Sequence, residues 1–165
     1  HKLLSGIYYF QGVADQKLSR FDDSISKFDQ VLLQNNESYT APSLLGKAVS
    51  LNKLKKYDLA KEIFNQVILN YADDNTMSMR ARFELAYIEQ ENNNLDAASK
   101  LYMLIAVLYD DEYYSPESLL RAGQLFEQLN KKSNALKVYE EILQKYASSH
   151  AVSQARKKYD QLKAL

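Results

Sequence analysis

Tyr57-Asp-Leu-Ala60-Lys-Glu-Ile-Phe64-Asn-Gln-Val67-Ile-Leu-Asn-Tyr71 decides the reading of this chain, because it recurs. Its anchors are a small residue at Ala60, an aromatic at Phe64 and a β-branched residue at Val67. The same trio stands at Ser24, Phe28 and Val31, at Ala98, Tyr102 and Ile105, and at Ala135, Tyr139 and Ile142. Successive copies are 36, 38 and 37 residues apart for every member. A closing tyrosine follows in three of them, at Tyr71, Tyr109 and Tyr146. About twelve residues ahead of each trio stands a second small residue, Gly12, Ala48, Ala86 or Gly123, in the same spacing. Self-similarity at this period means stacked supersecondary units, none of which buries its apolar face alone.

The spacing within a copy is helical. Two helices of a hairpin approach closely only where a residue lacks bulk, and the small residues supply that gap on both. The aromatic four residues after the second one lies on the same face, one turn on. Apolar periodicity and turn signals give helices at about 2–17, 21–34, 41–54, 57–71, 76–92, 95–109, 116–129, 132–146 and 149–163. Pro42 reads as a first-turn proline, and Ser115-Pro116-Glu117 as an N-cap, an N1 proline and an early acid. Leu95-Asp-Ala-Ala98 starts the sixth helix. The chain is expected to be all-α, a solenoid of about four hairpins (2–36, 41–73, 76–112, 115–148) with a closing helix at 149–163, in one domain.

Composition agrees. Of the 165 residues 46% are apolar, enough for a core, and four Gly and two Pro suit long helices rather than turn-rich β-structure. Lys+Arg and Asp+Glu both number 21, so no strong field points to nucleic acid or an anionic membrane. Without cysteine there is no disulfide framework, thiolate site or thiol nucleophile. The longest apolar run, Leu101 to Tyr109, is far too short to span a bilayer. The start at His1 reads as a piece of a longer chain, with room upstream for an export signal or another domain. His1 and His150 have no spaced partners, and no phosphate loop, nucleophile triad or paired carboxylates occur. Asp22-Asp23, Asp73-Asp74 and Asp110-Asp111 read as capping and solvated turns, and Lys53, Lys55 and Lys56 as a solvated turn. No enzyme, catalytic residue, metal site or cofactor is expected.

The pattern of small residue, then aromatic-x-x-small-x-x-x-aromatic-x-x-apolar, resembles the tetratricopeptide repeat over essentially the whole chain. The segments Ala81-Arg-Phe83-Glu-Leu85-Ala86 and Tyr146-Ala-Ser-Ser…Ala155-Arg-Lys-Lys resemble the bacterial-envelope subgroup, including the outer-membrane assembly lipoprotein and the Tol–Pal accessory protein. The resemblance implies a right-handed solenoid and a periplasmic or outer-membrane-associated location, with the cytoplasm as the alternative. Two features depart from the pattern. Arg82 stands where Tyr8, Leu44 and Leu119 are bulky and apolar, and Leu45-Gly46 offers a competing register two residues before Ala48.

In the family the first helix of each repeat lines a concave groove. Carried over by position, one row is Tyr9, Leu45, Phe83 and Leu120, and the next is Val13, Val49, Tyr87 and Gln124. Polar residues follow at Gln16, Asn52, Gln90 and Glu127. This lining suits an apolar segment of a protein or peptide partner, with Phe83 and Tyr87 as anchors. The Lys/Asn set with which chaperone-binding members hold a terminal carboxylate is not at these positions. The alternative is a structural or oligomerising module that binds by its ends or convex face, favoured by the uncovered start Leu3, Leu4 and Ile7. Met103-Leu104 replaces the polar pairs Asp29-Gln30, Asn65-Gln66 and Glu140-Glu141. Either the Asp110–Ser115 turn folds Tyr113 or Tyr114 over Leu104, or the strip is a second interface for a partner or another copy.

Overall fold

The computed structural model describes residues 2–164. Among them are nine helices and no strand: α1 (Lys2–Lys17), α2 (Phe21–Leu32), α3 (Glu37–Lys53), α4 (Tyr57–Asn70), α5 (Asn75–Glu91), α6 (Leu95–Leu108), α7 (Tyr114–Gln128), α8 (Lys132–Lys145) and α9 (Val152–Lys163). The chain divides into two compact units, one ending at Glu84 and the other beginning at Leu85, so the division falls inside α5.

In the first unit α2 packs between α1 and α3, and α3 also carries α4. Contacts between α1 and α2 run in opposite directions, Ser5 bonding Gln34 while Gly12 faces Phe28, so the pair is an antiparallel hairpin. The second unit repeats the arrangement, with α7 packed on α6 and α8, and α9 on α8. α6 starts at Leu95 as its sequence implies.

Every member of the recurring trio is fully buried in all four copies. The gap residues work as expected. A Cβ on Gly12 would lie 2.8 Å from the Phe28 ring, and one on Gly123 would lie 2.6 Å from Cζ of Tyr139. Such distances are repulsive, and only glycine admits the ring. The competing register at Gly46 has a separate use. Ala48 is buried in the register of Gly12, while a Cβ on Gly46 would meet the Phe28 ring of the preceding hairpin at 2.5 Å. Phe28 is therefore received by two helices at once.

Three helix starts differ from expectation. α3 begins at Glu37, because the Asn36 side chain accepts the Ser38 N–H at 3.1 Å and caps the helix four residues early. Pro42 thus lies inside α3, where it removes the donor for the Ser38 carbonyl. α7 begins at Tyr114. In the turn ahead of it Asp111 Oδ1 accepts the N–H groups of Tyr113 and Tyr114 at 2.9 and 2.6 Å. Ser115 is buried and donates instead to the Tyr109 carbonyl. α9 begins at Val152, after a turn closed by Ser149 N–H to the Tyr146 carbonyl.

The turn inside each hairpin has one form. Ser19, Lys55, Asn93 and Asn130 all take φ between 56° and 60°. The N–H of the following residue reaches back to Asp15, Leu51, Glu89 or Phe126 at 2.8 to 2.9 Å. This is the left-handed closure that glycine favours, here made four times without glycine. A side chain there costs roughly 1–2 kcal/mol, less for asparagine. Lys55→Gly should therefore raise stability by about 1 kcal/mol after the entropy of glycine is deducted, and Asn93→Gly by less. Urea unfolding of the two variants checks the order.

Candidate functional site

The first unit contains a concave hole of about 190 Å³. Tyr9, Val13 and Gln16 of α1 line one wall, and Pro42, Leu45 and Gly46 of α3 the other. Phe28 closes the floor, and Met77 and Arg80 from the first turns of α5 complete the rim. Of the positions expected to line a groove, Tyr9 and Val13, both half-buried, come together here, with Leu45 buried behind them at 2% exposure.

The rings around the hole hold one another. Tyr9 lies 5.3 Å from Tyr39 and 6.1 Å from Phe28, centroid to centroid, and edge-on to Phe10 at 5.2 Å. Such offset pairs add to the burial they accompany and fix Tyr9 against the wall. Arg80, exposed at the mouth, is the only charged side chain among the lining residues. The surface offered is a hole of mixed polar and apolar lining with a guanidinium beside it.

The polar positions of the expected groove are bound inside the protein. Gln16 Nε2 donates to the Gly46 carbonyl at 2.7 Å and to Ser50 Oγ at 2.8 Å, tying α1 to α3. Asn52 Nδ2 donates to Glu84 at 2.6 Å. Tyr102 Oη donates to Gln90 at 3.4 Å, and Tyr139 Oη to Glu127 at 2.5 Å. Where the aromatic of the trio is tyrosine, its hydroxyl takes up the polar residue of its own hairpin.

The remaining positions are dispersed. Val49 and Phe83 are half-buried and do not line the hole. Phe83 is therefore no anchor within it. Tyr87, Leu120 and Gln124 belong to the second unit, where Leu120 is 5% exposed and packs rather than presents itself. Met103 is half-buried, and Leu104 keeps 36% exposure. In the turn that follows, the Tyr113 ring is stacked on His150 at 4.6 Å and edge-on to Tyr114. Pro42, Met77 and Arg80 were not read from the sequence. Their signal is the register, since Met77 and Arg80 lie one turn apart on the face preceding Phe83.

The second unit carries most of the shifted ionisations. Lys100 and then Lys131 hold the Asp96 carboxyl down at about 2, at 2.6 Å each. Burial alone would raise Glu117, but hydrogen bonds with Arg121 and His150 outweigh it and hold its pKa below the ordinary 4.5. Burial and then the Glu127 carboxylate push the Tyr139 phenol up, so it stays a donor. A carboxyl lowered by folding stabilises the fold above its unfolded pKa and loses that contribution as pH falls toward the folded one. The urea midpoint should fall below about pH 5, with part of the fall missing in Glu117→Gln. An equal slope in the variant would remove the assignment.

Among the described residues no group of His, Cys, Asp and Glu is placed to hold a metal ion, and no helix is long and apolar enough to cross a membrane. The tetratricopeptide-repeat model matches residues 43–74 and 117–149, the second and fourth copies. A search of curated proteins returned no match. Among solved structures, MamA AMB-1 matches with a TM-score of 0.68 at 15% identity, covering 98% of this chain and 84% of that one. MamA MSR-1 matches with 0.63 at 14%, covering 97% and 95%. The likeness is one of fold.

Proposed function

We propose that this chain is a protein-interaction scaffold that takes an apolar side chain of a partner peptide into the hole between α1 and α3. Its tetratricopeptide repeats are those of non-catalytic interaction proteins, which gives the general class. The hole supports the finer reading. By size alone, a space of about 150 Å³ accepts benzene, so 190 Å³ has room for one aromatic or branched aliphatic side chain. Tyr9 is held rigid by its neighbours, which lowers the entropy lost on binding. Arg80 beside the mouth favours an acidic group or free carboxylate next to the inserted side chain.

Gln16 and Asn52 are engaged within the protein, so recognition rests on shape and on Arg80 more than on a row of polar groups. The test is a panel of fluorescent peptides carrying one leucine or phenylalanine beside either aspartate or lysine. Binding of the acidic members, lost on Val13→Asp, supports the reading. Equal binding by wild type and variant overturns it.

A further inference from the structure

The second unit has a cleft of about 600 Å³ between the turn that joins α6 to α7 and the turn that joins α8 to α9. Asp110, Glu112 and Tyr113 line one side, and Lys145, Ser149 and His150 the other. The cationic groups are already engaged. Lys145 Nζ is 3.4 Å from Asp110 Oδ1 and lies over the Tyr146 ring at 5.1 Å, and His150 Nε2 is 3.0 Å from Glu117. The acceptors are not. Glu112 is exposed and has no partner among the described residues, and Ser149 Oγ is buried without one. A buried oxygen left without a partner is a cost that an incoming donor removes. Tyr113, stacked on His150, stays 55% exposed. Carboxylates beside an exposed aromatic ring fit an ammonium or guanidinium group.

An apolar strip leads to this cleft. Leu104, Val107 and Leu108 are 36%, 76% and 51% exposed, and α6 ends at Leu108, two residues before Asp110. Leu104 and Leu108 share a face, one turn apart. In register Leu104 is Gln30, Gln66 and Glu141 in the other copies, so the repeat itself does not need an apolar residue there. We propose that strip and cleft together dock a basic amphipathic segment of a partner protein. Its apolar residues lie on Leu104 and Leu108, and a lysine or arginine one turn further on enters the cleft. Charge selects this occupant. Asp110, Asp111 and Glu112 stand against Lys145 alone, so an acidic segment is repelled. The surface is separate from the hole of the first unit and takes the opposite charge.

The test is fluorescence polarisation with the whole chain and a helical peptide that sets two leucines one turn apart ahead of a lysine. That peptide should bind, and its counterpart with glutamate for lysine should not. Glu112→Lys and, separately, Leu104→Gln should each weaken binding about tenfold while circular dichroism stays helical. Both variants should keep the fold, since Glu112 makes no bond among the described residues and glutamine stands at the register of Leu104 in two copies. Val13→Asp should leave this binding unchanged, which separates the result from any failure of the hole. Equal binding by the parent chain and both variants overturns the proposal, as does equal binding of the lysine and glutamate peptides. Two other occupants have their own signatures. A free polyamine that binds as tightly as the peptide leaves the strip without a role. A dimer in light scattering that Leu104→Gln abolishes gives the strip to a second copy. Either result overturns the proposal.

Discussion

Gly123→Ala should destabilise the protein by about 1–3 kcal/mol, as overpacking of a closed core does. The added methyl carbon would lie 2.6 Å from Cζ and 3.0 Å from Cδ1 of Tyr139, a fully buried ring. The ring has little freedom to withdraw. Its hydroxyl is held by Glu127, which Lys158 also holds at 3.3 Å. The decisive measurement is a double-mutant cycle. Tyr139→Leu has its own cost, but in that background Gly123→Ala should be nearly neutral, because the surface it strikes is gone. The interaction energy should reach about 1–3 kcal/mol, read from urea unfolding at neutral pH. Additive costs would mean that the glycine serves some purpose other than admitting the ring.

Val13→Asp should weaken capture of an acidic-apolar peptide at least tenfold, about 1.4 kcal/mol, with helical content unchanged. Val13 is half-buried on the α1 wall of the hole, so an added carboxylate enters the space the peptide side chain would fill. It would also repel the acid that Arg80 attracts. Arg80→Glu should act differently, keeping the apolar contribution and shifting preference from aspartate-bearing to lysine-bearing peptides. Two variants with two different signatures distinguish the hole from a general surface. Unchanged binding by both variants, with the charge preference unmoved, would place recognition elsewhere.

The sequence carried the fold through the trio, because a packing requirement repeated four times leaves four copies of one pattern. All twelve of its residues are buried. The same logic could not show that Gly46 answers Phe28 from the next hairpin, since one glycine in one copy has no period. Nor could it show the left-handed turns. Asn93 and Asn130 are types that accept positive φ, but Ser19 and Lys55 carry no such mark. Ser115-Pro116 looked like a helix start because its residue types fit, whereas the hydrogen bonds go to Asp111. Of the expected groove positions, Tyr9, Val13 and Leu45 border one hole. That Gln16 and Asn52 bond within the protein was not legible, because a polar residue facing a concavity looks alike whether it serves a partner or its own chain.

The placement of Phe28 bears on how the chain comes off the ribosome. Its ring is lodged against both Gly12 and Gly46, so the α1–α2 hairpin alone leaves one side of it wet. Until α3 has emerged, the nascent hairpin carries an unsatisfied aromatic and cannot reach its final stability. The smallest piece of the amino-terminal half able to stand alone is therefore three helices, not two. Cutting the chain at the repeat boundary near Asn35 would separate a side chain from half of its socket.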